Sequence, residues 1–129
     1  VHFSKHFTLQ EARSLLPLLR RRFQELHDLR DALRVAAPRH EPARKGSGGN
    51  GGGTPGAVSY LQASGRFAEI MRELSEAGIQ VKDLEAGLVD FPHLRQGEEV
   101  FLCWKLGEET IGYWHELESG FAGRKLLPS

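Results

Sequence analysis

The chain has a single cysteine, Cys103, among 129 residues. One thiol makes no internal disulfide and no all-cysteine zinc site, which excludes disulfide-stapled scaffolds and cysteine-rich zinc domains. No apolar run approaches the roughly 18 residues of a membrane span. The start, Val1-His2-Phe3-Ser4-Lys5-His6, lacks the apolar core of a signal peptide. A soluble, cytoplasmic protein with no membrane partner is expected. Net charge is missing as well, with 17 basic side chains against 17 acidic ones. Histone-like proteins and polybasic membrane binders take their affinity from surplus cations, so both are excluded. There is also no serine-nucleophile elbow, no dinucleotide fingerprint and no zinc knuckle. Enzymatic activity has no motif behind it.

The charge that is present is unevenly spread. Residues 1–45 carry ten basic and five acidic side chains, and residues 57–129 carry seven and twelve. Either the two halves neutralise each other across a fold or dimer interface, or the acidic half faces a cation.

Thr8-Leu9-Gln10-Glu11 is a capping box, and Leu9, Ala12, Leu16, Leu19, Phe23, Leu26 and Leu33 follow at helical steps. Leu15, Leu18 and Leu29 widen the stripe. The pattern predicts one helix over about residues 9–36, bent near Pro17, which lacks an amide and clashes with the carbonyl of Arg13. Arg21–Glu25, His27–Asp31 and Asp31–Arg34 have the spacing of solvated helix pairs. Residues 38–56 hold seven of the 15 glycines and three of the six prolines, the composition of a flexible linker. A second helix is predicted over about residues 55–77, with Thr54 as N-cap, Pro55 at the first position and Gly78 as the left-handed stop. Gly65 within it is a weak or closely packed point. Two helices joined by a loop fold as an antiparallel hairpin.

After Gly78 the apolar period shortens to two. A short apolar run, Leu88-Val89-Asp90-Phe91, ends at Pro92. Val100–Leu106 and Thr110–His115 flank Gly107-Glu108-Glu109 as a hairpin. Alternation puts Val100, Leu102, Trp104 and Leu106 on one face, Phe101, Cys103 and Lys105 on the other, and Ile111, Tyr113 and His115 together on a core side. The fold class is α+β: an antiparallel helical hairpin packed with a small antiparallel β-meander over about residues 79–116. An irregular tail, 117–129, completes a single domain.

Val81-Lys82-Asp83-Leu84-Glu85, Gly87-Leu88-Val89-Asp90-Phe91-Pro92, Leu102-Cys103-Trp104-Lys105-Leu106-Gly107-Glu108, Tyr113-Trp114-His115-Glu116 and Gly120-Phe121-Ala122-Gly123-Arg124 occur in fixed order. With the opening Phe7-Thr8-Leu9 and Leu15-Leu16-Pro17-Leu18-Leu19, they resemble a family of small prokaryotic proteins, the domain of unknown function 2203. The resemblance spans nearly the whole chain except the glycine-rich stretch. It implies the element order above and no particular reaction.

Within those blocks, Asp83, Asp90, Glu108 and His115 are candidate ligands for a divalent metal ion. Their spacing matches no recognised metal motif. The plainer alternative makes Asp83 and Asp90 turn residues, Glu108 a decoration of the hairpin tip, and His115 a core histidine satisfied by a carbonyl. Trp104, Tyr113 and Trp114 either cap the helical hairpin as core or wall a pocket for a flat ligand, with Arg124 pairing an anionic group on it. Cys103 reads as a small buried hydrophobe.

The leading expectation is a non-enzymatic binding or interaction module that forms a homodimer through its wide leucine stripe. The alternative is a metal-binding protein or small metal-dependent hydrolase with its site on the meander. Nucleic acid is not the expected partner, since no aromatic platform accompanies the basic cluster Arg39–Lys45; contact through Arg20, Arg21, Arg22 and that cluster is the third and weakest reading.

Overall fold

The computed structural model describes residues 2–36 and 55–128. Most of the glycine-rich stretch expected at 38–56, and the N-cap Thr54, lie outside the described residues.

The capping box forms as the sequence predicts. The Glu11 amide donates to the Thr8 hydroxyl at 3.0 Å, and the Thr8 amide donates to the Glu11 carboxylate at 2.8 Å. They open α1 (Leu9–Ser14), which breaks at Leu15 and resumes as α2 (Leu16–Ala36). Pro17 is the physical cause: it has no amide for the Arg13 carbonyl, and its ring excludes a straight helix. The expected bend is therefore a break. The third helix, α3 (Pro55–Glu76), runs antiparallel to α2, as two cross-pairs show. Arg22 Nε donates to Glu73 at 2.7 Å, and Glu25 accepts from Nε and a terminal nitrogen of Arg66 at 2.6 and 3.0 Å. Glu25 thus reaches across the hairpin instead of pairing with Arg21. Gly78, at φ +92°, ends α3 with the two bonds of a Schellman stop, its own amide to Ser75 at 3.0 Å and that of Ile79 to Leu74 at 2.9 Å. Gly65 is not closely packed: a Cβ there would meet nothing within 4 Å.

Beyond Gly78 lies an antiparallel sheet with its five strands in chain order: β1 (Gln80–Asp83), β2 (Leu88–Arg95), β3 (Glu98–Lys105), β4 (Tyr113–Glu116) and β5 (Lys125–Leu126). Three expectations need correction. The run from Leu88 does not stop at Pro92. The Pro92 carbonyl turns away from β3 and accepts from the Phe7 amide at 2.7 Å, so the missing proline amide lies on that same edge and costs β2–β3 no bond. β2 then reaches a two-residue turn, Gln96-Gly97, whose φ values of 53° and 84° suit a tight hairpin. The β3–β4 link is a longer connection, residues 106–112, so the last long strand begins at Tyr113 and not at Thr110. The tail is also not wholly irregular. A 3-10 turn, Phe121–Gly123, leads into β5, which pairs with β4.

Val89, Phe91, Leu102 and Trp104 face the helices and join Leu16, Leu19, Phe23, Leu26, Ile70 and Leu74 in one core. Ile111 enters this core from the β3–β4 connection, its carbonyl held by Arg13 at 2.8 Å. It therefore does not share a face with Tyr113 and His115. The leucine stripe that motivated a homodimer is largely used inside the chain, against α3 and the sheet. The basic and acidic halves meet within the fold too, with Arg30 on Glu85 at 2.7 Å and Arg34 on Glu85 at 3.6 Å besides Arg22–Glu73. In front of α1, the amides of His2 and Phe3 and the rings of His2 and His6 all bond the Glu99 carboxylate at 2.7–3.0 Å. No helix among the described residues is long and apolar enough to cross a membrane.

Candidate metal centre

Register alone brings three polar side chains together on the sheet face away from the helices. The β2–β3 hairpin sets Asp90 opposite Cys103 and Pro92 opposite Phe101. The β3–β4 pairing sets Cys103 opposite Tyr113 and Phe101 opposite His115. Asp90 and His115 thus flank β3 from either side. With neighbouring strands about 4.8 Å apart, their side chains reach over β3 between Phe101 and Cys103. His115 Nε2 lies 3.0 Å from each oxygen of Asp90, and Nδ1 donates to the Glu116 carbonyl at 2.7 Å. The Phe101 ring packs against the imidazole at 5.4 Å between centroids. One ligand atom each from Asp90, Cys103 and His115 lies within 4.8 Å of the other two. All three residues are sealed from water, at 3%, 0% and 2% exposure.

Burial, reinforced by the Asp90 charge, pushes the Cys103 thiol up to about 12, so it stays protonated. The imidazole has a fixed orientation. A carbonyl only accepts, so Nδ1 carries a proton, and a further proton lies between Nε2 and the carboxylate. The pair is neutral overall, whichever partner holds that proton. Both ring nitrogens are engaged, and neither is free to take the thiol proton, so the trio is no nucleophile–base relay. It is suited to holding a cation. Zinc bonds of about 2.0–2.3 Å to such atoms require the three ligand atoms to stand within one small shell, and here they lie within 4.8 Å of one another, with His115 Nε2 and Asp90 at 3.0 Å. The Nδ1–H bond to a carbonyl is the usual support of an imidazole that ligates through Nε2.

The other candidate residues lie elsewhere. Asp83 is exposed at the end of β1, where its carboxylate accepts from the Ala86 amide of the following turn at 3.0 Å. Glu108 accepts from the Lys105 amide at 2.8 Å and from Arg124 at 2.7 Å, apart from Asp90 and His115. The Arg124 guanidinium also lies over Tyr113 at 3.9 Å and Phe121 at 4.6 Å. Burial works against its charge, but the Glu108 carboxylate and other neighbours outweigh that and raise its pKa. Its anionic partner is therefore internal. Trp104 is core, with its indole N–H on the Glu108 carbonyl at 3.0 Å. Trp114 lies on the helix-facing side of the sheet, opposite Leu102 and between Arg95 and Lys125, and none of three surface clefts is lined by Trp104, Tyr113 or Trp114.

Of the four carboxylate and imidazole candidates, the fold brings together Asp90 and His115, and Cys103 completes the group. Sequence reasoning missed the thiol as a ligand because no second cysteine or nearby base draws attention to it. The signal that would have found it is Gln96-Gly97, since a two-residue hairpin there makes Asp90 and Cys103 direct neighbours.

Comparison with curated proteins and with solved structures finds no match. The profile of one family, described as an uncharacterized conserved protein (domain of unknown function 2203), matches residues 5–127, and the chain belongs to that family.

Proposed function

We propose that this protein is a non-enzymatic metal-binding module that takes a divalent transition ion, zinc by its donor set, on Asp90, Cys103 and His115. The supporting observation is the convergence of a thiol, an imidazole and a carboxylate from three adjacent strands within 4.8 Å. Thiolate and imidazole select zinc over magnesium or calcium, which take oxygen ligands. Binding exchanges two protons, one from the thiol and one from the Asp90–His115 pair, for one divalent cation, so the buried site stays neutral. Its burial favours a structural or stored ion over an open catalytic one.

The test is metal analysis of protein purified without a histidine tag, followed by cobalt(II) titration of the metal-free chain. One equivalent of metal and a thiolate-to-cobalt absorption band are expected. Cys103→Ser abolishes the band and His115→Ala abolishes stoichiometric binding, whereas Asp83→Asn and Glu108→Gln leave both intact. Absence of a stoichiometric metal in wild type, with no cobalt band, removes the proposal.

A further inference from the structure

We propose that Lys82 is the gate of this centre: its ammonium guards Asp90 on the β1 side, and a metal ion enters from the cleft beside β1 as Lys82 swings away. This inference rests on the metal-binding reading above.

Gln80 pairs with Asp90, so strand alternation puts Lys82, two residues on, on the face of the centre. Val81 pairs with Val89 while Asp83 pairs with Leu88, so β1 carries one extra residue at Lys82. Lys82 Nζ lies 3.9 Å from Asp90 Oδ2 and 4.8 Å from the centre of the Phe101 ring. Its side chain is 41% exposed while that of Asp90 is 4% exposed, so Lys82 links the buried carboxylate to solvent.

A cleft of about 580 Å³ opens on this side, and Phe3, Val81, Lys82 and Pro92 are among its walls. Phe3 packs on Phe101 at 5.4 Å, Pro92 lies across from Phe101 in the sheet, and Phe101 packs on His115. Two walls of the cleft thus back the Phe101 ring that covers the centre, and Lys82 both lines the cleft and reaches Asp90. The opposite approach, past Cys103, is closed by Arg124, which is bonded to Glu108 and stacked on Tyr113.

The Lys82 ammonium stands beside Asp90 without being able to ligate a metal, and it repels an arriving cation. Removing that charge while keeping the stem speeds entry, because steering by fixed charge changes association rates by about tenfold or more.

The test is stopped-flow uptake of cobalt(II) by the metal-free full chain, read by the thiolate-to-cobalt band, for wild type, Lys82→Gln, Lys82→Met and Lys82→Arg. The neutral variants are expected to load about tenfold faster, and Lys82→Arg to follow wild type, with thermal midpoints unchanged across the set. Uptake by the neutral variants at or below the wild-type rate overturns the gate and leaves the metal site standing. If neither wild type nor any variant gives the band, both inferences fall together.

Discussion

His115 Nε2 is equidistant from the two carboxylate oxygens of Asp90, at 3.0 Å each, in a part of the sheet that water does not reach. This bond ties β2 to β4 over the top of β3, which no backbone ladder does. It also places a charged or proton-sharing pair on a face otherwise closed by Phe101 and Cys103. Such a pair contributes little net stability beyond an apolar equivalent, yet breaking it leaves one polar group stranded.

Truncating one partner is therefore expensive. Asp90→Ala or His115→Ala in metal-free protein is expected to lose about 3–5 kcal/mol in urea unfolding. The double replacement Asp90→Leu with His115→Phe is expected to lose less than either single truncation, since neither polar group remains. Single variants within about 1 kcal/mol of wild type would show that the pair is solvated and not sealed.

Two glycines should respond in opposite directions to the same added methyl. Gly65→Ala fills open space on an exposed helix and is expected to gain about 0.5–1 kcal/mol. Gly87 sits at φ +68°, and a Cβ there would come within 2.5 Å of Leu106 Cβ. Gly87→Ala is accordingly expected to lose about 1–3 kcal/mol. Denaturation midpoints of the two variants moving the same way would contradict the local backbone described for one of them.

Elements governed by near neighbours were legible in the sequence. Thr8 and Glu11, Pro17, and Gly78 with Leu74 and Ile79 all act within a turn or two of chain, and each does what its chemistry predicts. The helical hairpin and the change to strands at Gly78 follow from those signals. The centre was only half legible because it depends on register. Asp90 and His115 are 25 residues apart and never pair as strand neighbours. Their meeting depends on the Gln96-Gly97 turn and on the offset of the 106–112 connection, neither of which apolar periodicity encodes. Pro92 hid the strand extension, because its missing amide breaks a strand only when it faces the ladder.

Cys103 offers a direct probe of the sealed face. Its thiol, buried and pushed up to about 12, is not a nucleophile in the folded chain. A chromogenic disulfide reagent at mildly alkaline pH is expected to leave the native protein unmodified and to react with one thiol per chain after denaturation. Rapid stoichiometric reaction of the folded protein would mean that the face opens freely.

Glu99 should shape the acid limb of stability. Burial alone would raise its pKa, but the His2 amide, the His6 ring, the His2 ring and the Phe3 amide bond the carboxylate and together bring it from 4.5 to about 2. A carboxyl whose folded pKa is depressed stabilises the fold above its unfolded value. That contribution is lost as pH falls from about 4.5 towards 2, where the folded form also takes up the proton. Glu99→Gln is therefore expected to be less stable than wild type at neutral pH and to show a flatter decline over that window. Urea unfolding at a series of pH values checks both features. Parallel acid limbs in the two proteins would mean that these four bonds do not fasten the N-terminal segment to the sheet in solution.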